Sequence, residues 1–232
     1  MINTSLSPEA TLGLTHAHVV PVFGDKDKAS HFLHPQALQA FLALQSAAKA
    51  DGIDCQLVSS FRDFSRQQGI WDRKWSGELA VLDDDQYHID IHALDKLARV
   101  HAIMRWSALP GASRHHWGTD IDVYDKQRVI QQQHRLALVQ SEYEGNGVCA
   151  ELAQWLAQRA HEFDFYLPYA VDQGGIGCEP WHLSYAPIAK PTLMHYPLEY
   201  LSAMLIKHQI CGVHTVITHL ESLYLRYIAI ES

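Results

Sequence analysis

The sequence predicts an α+β fold. Helical and strand-like segments follow one another without the regular alternation that builds a parallel α/β sheet. Hydrophobic residues make up 47% of the 232 positions and charged residues 19%, enough apolar material for a real core. No internal repeat or low-complexity linker divides the chain, so one domain over residues 1–232 is expected.

Each element has a local reason. Residues 35–50, PQALQAFLALQSAAKA, put Leu38, Phe41, Leu42 and Gln45 at helical spacing, with Pro35 near the start. CQLVSSFR reads as a buried strand ending in polar residues. Residues 65–77, SRQQGIWDRKWSG, read as an exposed helix stopped by Gly77. ELAVLDDDQY reads as a loop, and His88 to Trp106 as a further helix. SALPGAS carries the proline and glycine of a loop, after which GTDIDVYD alternates with period two and reads as a strand. Residues 151–165, ELAQWLAQRAHEFDF, form an amphipathic helical pattern, and EPWHLSY is a short strand after the turn QGGIG. From Pro197 onward LEYLSAMLIKHQI and TVITHLESLYLRYI are helical, a C-terminal extension over 197–232.

Charge and composition exclude several functions. The net charge is -8 with no lysine or arginine run, which argues against a nucleic-acid partner. No stretch approaches the roughly 18 apolar residues of a membrane span. The N-terminal MINTSLSPEATLGLTHAHVV lacks the basic and apolar regions of a secretory leader. Cys55, Cys149, Cys178 and Cys211 form no CxxC pair and read as reduced thiols. A cytoplasmic protein is the expectation, with a periplasmic one left open. Nothing in the sequence sets the oligomeric state.

Two stretches carry chemistry: SRHHWGTDID at 113–122 and EPWH at 179–182. A catalytic zinc takes about three protein ligands and keeps a position open for water. His115 and Asp122 lie on either side of Gly118, where the backbone can turn tightly into the strand. On that strand Asp120, Asp122 and Tyr124 share one face, so Asp122 can point at a site lined by His115. His182 is the natural third ligand. Pro180 breaks the regularity of the following strand, so Glu179 can stay in the preceding loop and converge on the site as a proton acceptor.

The pattern Ser113-x-His115-x-x-Gly118-x-x-x-Asp122, followed by Glu179-x-Trp181-His182, resembles the signature of the zinc D-alanyl-D-alanine carboxypeptidases of the VanY and VanX type. That superfamily also contains lysostaphin-like peptidases and the hedgehog signalling domain. The resemblance implies His115, Asp122 and His182 as zinc ligands and Glu179 as general base. It implies a small antiparallel sheet carrying the zinc site, flanked by helices, with a catalytic core over about 35–190. SSFRDFSRQ at 59–67 is similar to the family's SGYRS…Q segment, which makes Arg62 a carbonyl or carboxylate binder and Gln67 a substrate contact. Ser113, Asp120 and Trp181 complete the candidate substrate contacts, Asp120 with the alternative role of orienting a ligand. The implied reaction is zinc-dependent removal of C-terminal D-alanine from peptidoglycan-derived peptides. An L,D-carboxypeptidase, an endopeptidase or a non-catalytic zinc-containing binding module are the alternatives. Asp120 stands where the family has a small residue, Phe61 replaces the usual tyrosine and Ser60 the usual glycine.

Rival features weigh less. His88 and His92, four apart on the expected helix, have ligand spacing but no third partner. The acidic run at 83–85 lacks the glycine and closing glutamate of a calcium loop. His116 is expected to be structural, since neighbouring residues rarely chelate one ion. Cys178 has no histidine of its own to activate it and reads as a small buried residue. Residues 79–110 are expected to border the cleft as a lid.

Overall fold

Proline opens each of the first two helices among the described residues. The computed structural model describes residues 5–22 and 30–230, so the first four residues of the stretch inspected for a leader lie outside it. Ser7 caps α1 (Pro8–Thr11), its Oγ accepting from the Ala10 N–H. Strands β1 (Val20–Pro21) and β2 (Phe32–Leu33) pair antiparallel before Pro35 starts α2 (Pro35–Ala50). Ala37, Phe41, Leu44 and Ala48 form the buried stripe of that helix, while Leu42 faces out. Strand β3 (Cys55–Ser59) follows, then α3 (Phe64–Trp75), capped by Asp63 accepting from the Arg66 N–H at 2.7 Å. Its expected exposure is corrected: Phe64, Gln67 and Trp71 are buried, a face that charged neighbours in the sequence mask.

Two further expectations fail over residues 79–106. The loop there holds a hairpin, β4 (Val81–Leu82) against β5 (His88–Ile89), closed by Asp83 Oδ1 accepting from the N–H groups of Asp85 and Tyr87. The helix begins only at α4 (Lys96–Met104). Asp90 and Asp95 stop any earlier start, because their carboxylates take the N–H of His92 and those of Leu97 and Ala98. His88 therefore lies on a strand and His92 on a 3-10 turn, both exposed, and the rival metal pair dissolves.

Strand β6 (Asp120–Asp125) runs straight into α5 (Lys126–Gln131). Helix α6 (Ala150–Arg159) is shorter than its amphipathic pattern: a 3-10 turn and Asp164, at φ 60°, redirect the chain into β7 (Phe165–Tyr166). Strand β8 (His182–Tyr185) precedes α7 (Ala186–Met194), whose prolines at 187 and 191 concealed it in the sequence. The tail adds α8 (Leu198–Lys207), α9 (Val213–Thr218) and α10 (Leu220–Tyr227), the last expected helix being broken at His219.

The main sheet is antiparallel with strand order β3-β6-β8-β7. Side chains alternate across it. Ile121, Val123 and Leu183 pack with Phe41 and Leu44 of α2 and Trp155 and Leu156 of α6. Asp120 and Asp122 fall on the other face. There a second core joins Trp71, Ile103, Met104 and Trp117 to Leu201, Leu205, Val216 and Leu223 of the tail helices. Each buried leucine contributes about 1.5–3 kcal/mol, so the tail is part of what supports α3 and α4. Met204, Tyr224 and Tyr227 pack within this cluster.

Candidate metal centre and its cavity

The register of the sheet assembles the cluster. Asp122 and His182 are direct cross-strand partners on β6 and β8, and Asp120 sits opposite Ser184. His115 arrives from the 3-10 turn Arg114–Trp117, which ends at Gly118 with φ 68°. A side chain on Gly118 would place its Cβ 2.4 Å from Val19 Cγ1 and 2.9 Å from the His34 nitrogen, so glycine is required on two grounds. The ligating atoms of His115, Asp122 and His182 lie within 4.8 Å of one another, and all three residues are buried. His115 Nε2 is 3.3 Å from Asp122 Oδ2, and His182 Nδ1 is 3.1 Å from Asp122 Oδ1. Ligands held about 2.0–2.2 Å from a tetrahedral zinc are separated by about 3.3–3.6 Å. The donor set fits that ion.

Both histidines spend their other ring nitrogen on Asp120. His182 Nε2 is 3.0 Å from Asp120 Oδ1, and His115 Nδ1 is 3.2 Å from the Asp120 carbonyl oxygen. With N–H groups donated there, the lone pairs of His182 Nδ1 and His115 Nε2 face the cluster. This is the support that metal-binding histidines need. Asp120 also accepts from Arg114 Nε at 2.8 Å, Thr119 Oγ1 at 2.6 Å and Ser184 Oγ at 3.0 Å. It has 0% exposure and does not line the cavity. Its expected substrate contact is corrected: every side-chain oxygen is already engaged beneath the histidines.

The charges are set by this packing. Burial alone would raise both aspartates, but Arg114 and His182 hold Asp120, and His115 and His182 hold Asp122, well below the usual carboxylate range. Burial lowers the His115 imidazole. It acts the same way on His182, yet hydrogen bonds to Asp120 and Asp122 push that residue up to about 10.

A cavity of about 320 Å³ opens over the cluster, lined by His115, Asp122, His182, Glu179, Arg62, Ser113 and Trp181 among others. Glu179 stays in the loop ahead of β8, its carboxylate 3.6 Å from His182 Nδ1. Burial pushes Glu179 up to about 7, against the pull of His182. Arg62 extends from the loop after β3, donating to Gln67 Oε1 at 2.7 Å and Ser59 Oγ at 3.3 Å. Gln67 is fully buried and donates in turn to the Ala108 carbonyl, so it positions Arg62 rather than touching the cavity, a second correction. The Ser113 side chain makes no cap hydrogen bond to its turn. His116 is structural, as expected: Nδ1 bonds the Arg62 carbonyl, Nε2 accepts from the Gly111 N–H, and burial takes the ring down to about 3. Cys178 is half-buried rather than buried and donates its thiol to the Ala170 carbonyl.

Part of the wall comes from the segment expected to border the cleft. Leu82 and Gln86 come from the unexpected hairpin, and Trp106, Ser107 and Ala108 follow α4, so residues 79–110 do border the cavity. Tyr169 packs its ring 4.9 Å from that of His182. Lys74 lies seven positions beyond Gln67 in the sequence, about two helical turns. That spacing alone does not assign it to the cavity, since Gln67 on the same stripe does not line it.

Fold and cluster together describe an α+β protein with a buried His–Asp–His metal-binding geometry and a carboxylate over an open cavity. The family model for VanY, D-alanyl-D-alanine carboxypeptidase, matches residues 30–188. This chain belongs to that family and is a peptidase of the carboxypeptidase type. A Haemophilus influenzae protein whose name states no function is 45% identical over 104 residues, covering 45% of this chain and 70% of the relative. The vancomycin-resistance D,D-pentapeptidase VanY from a VanB-type cassette, solved as a mutant in complex with Zn(II), shares the fold at TM-score 0.51 and 21% identity. The match covers 77% of this chain and 83% of that one. The LD-carboxypeptidase LdcB matches at TM-score 0.52 and 21% identity over 73% and 68% of the two chains.

Proposed function

We propose that this protein is a zinc-dependent carboxypeptidase that removes C-terminal D-alanine from peptidoglycan precursors or muropeptides. The observation that carries this reading is the convergence of His115, Asp122 and His182, each histidine backed by Asp120, with Glu179 left unligated at the cavity edge. Bound by those three residues, zinc would supply Lewis acidity, polarising a carbonyl oxygen and making water a better nucleophile. The chain's own groups do the rest. Glu179 takes the proton from the attacking water and delivers it to the leaving nitrogen, a task suited to a carboxylate raised to about 7. Arg62, held flat by Gln67 and Ser59, donates to the carbonyl oxygen as charge develops on it. Tyr169, Trp181 and Ile176 line the walls and restrict water.

The deciding experiment incubates the protein with peptides ending in D-Ala-D-Ala, in an L,D bond, in L-alanine and in an amide, with and without chelator. Release of D-alanine that stops on chelation and returns with zinc supports the proposal. Equal turnover of amide or L-alanine ends points to an endopeptidase, and preference for the L,D bond to an L,D-carboxypeptidase. We also place the protein in the cytoplasm, where soluble precursors and recycled muropeptides are its substrates; fractionation of cells tests this. Among the described residues no helix is long and apolar enough to cross a membrane.

Metal content is checked by elemental analysis of untagged protein. About one zinc per chain is expected, lost in His115→Ala and Asp122→Ala and retained in His88→Ala. Arg62→Lys keeps the charge but loses the planar fork. Turnover should fall by about tenfold or more, the weight of a charged hydrogen bond, with zinc content unchanged.

A further inference from the structure

We propose that Lys74 binds the free carboxylate of the residue that leaves, which commits the cavity to chain ends rather than to bonds inside a peptide. This rests on the peptidase reading above and names a residue that the zinc motif does not contain. Lys74 is carried on α3 with Gln67, Ile70 and Trp71, and like Ile70 it lines the cavity. Its side chain has no hydrogen bond and no acidic oxygen within 4.0 Å among the described residues. Its charged surroundings are Glu179, which attracts it, and Arg62, which repels it.

The other two positively charged side chains of the cavity, arginines both, are anchored by neighbouring side chains. Arg62 is anchored by Gln67 and Ser59, and Arg114 is held by Asp120, Tyr166 and Ser184. Of these three, Lys74 has no anchor for its charged group among the described residues. Burial lowers its ammonium to about 8, so it holds its charge at a cost that an anion in the cavity would relieve. Leu82, Ile70, Trp106 and Ile176 supply apolar wall, and an ion pair among them is screened less than one in water.

Position selects the anion. Glu179 delivers the proton to the leaving nitrogen, and in an α-amino acid the carboxylate is two bonds from that nitrogen. Lys74 lines the same cavity as Glu179 and attracts it, so a cation there is placed to meet the carboxylate of the leaving residue, while Arg62 attends to the scissile carbonyl. Two cations then serve two separate oxygen groups. An internal peptide bond presents no carboxylate at that place and leaves the ammonium unpaired.

The test uses a blocked tripeptide ending in D-Ala-D-Ala, as the free acid and as the C-terminal amide. Binding of each is measured by calorimetry on zinc-supplemented full-length protein in the Glu179→Gln background, which keeps the peptide intact. Hydrolysis is followed in parallel with Glu179 restored. The acid should bind about ten- to a hundredfold more tightly than the amide, the range of one charged hydrogen bond. Lys74→Met should erase that ratio by weakening the acid alone, and Lys74→Arg should keep most of it. A ratio that survives Lys74→Met, or equal weakening of acid and amide, overturns the assignment. Hydrolysis with a ratio indifferent to Lys74 leaves the peptidase reading standing and removes this one. A Lys74-dependent ratio without any hydrolysis does the reverse. Failure of the acid to bind at millimolar concentration removes both.

Discussion

Glu179→Gln is expected to keep its zinc and to lose about 10²–10⁴ of its turnover, the contribution of a positioned general base. Three ligands come from elsewhere in the fold, and Glu179 lines the cavity without being part of the His115–Asp122–His182 cluster. Glutamine has the same size and can donate and accept, but it cannot take a proton at neutral pH. Peptide affinity should therefore change little. Zinc stoichiometry by mass spectrometry and product release by chromatography separate the outcomes. Full activity in the variant removes Glu179 from the mechanism, and loss of zinc makes it a ligand. Wild-type protein that binds peptides and never cleaves them would instead be a binding module.

Asp120→Ala should be the most destabilising single change at the site. The carboxylate is fully buried and receives Arg114, His182, Thr119 and Ser184 together. Its removal leaves the Arg114 guanidinium buried without a carboxylate partner among the described residues, held by the Tyr166 and Ser184 hydroxyls and the Trp117 ring. Breaking a buried pair from one side costs about 3–5 kcal/mol, which for a chain of this size lowers Tm by roughly 6–20 °C. Zinc affinity should fall by about 10–100-fold as well, because His182 loses the acceptor that fixes its orientation. Calorimetric melting and zinc titration measure the two effects. Arg114→Met in the Asp120→Ala background should recover part of the stability and none of the zinc affinity. A melting point within roughly 2 °C of wild type would mean that the Asp120–Arg114 pair contributes less than about 1 kcal/mol.

The two effects also separate two carboxylates that strand alternation alone leaves equivalent. Asp120 and Asp122 look alike on one predicted face, yet their surroundings differ by what lies across the sheet. Ser184 and Arg114 enclose the first beneath the histidines, and the cavity lies over the second. No property of the DID tripeptide distinguishes them.

Local chemistry was enough to single out the candidate metal ligands as neighbours. The spacing around Gly118, the alternation in DIDVYD and the break at Pro180 are all properties of a few adjacent residues, and the structure brings His115, Asp122, His182 and Glu179 together as that spacing requires. The same holds for the helix at 35–50 and the strands at 55–59, 120–125 and 182–185. Where a segment's conformation depends on distant partners, the sequence was silent or misleading. The 81–89 hairpin is two residues a side, too short for period-two alternation to register, and Asp90 and Asp95 divert a stretch with good helical composition. Gln67 and Lys74 share α3, but only the path of the Ala108 carbonyl and the position of Glu179 make one a support for Arg62 and leave the other facing the cavity. The tail helices carried no sign of their role, because burying Leu201, Leu205 and Leu223 against Ile103 and Trp117 is a long-range event that neither segment encodes alone. Chemistry held by neighbours in sequence was determined there; burial, partner choice and access to the cavity were decided by elements that meet only when the chain has folded.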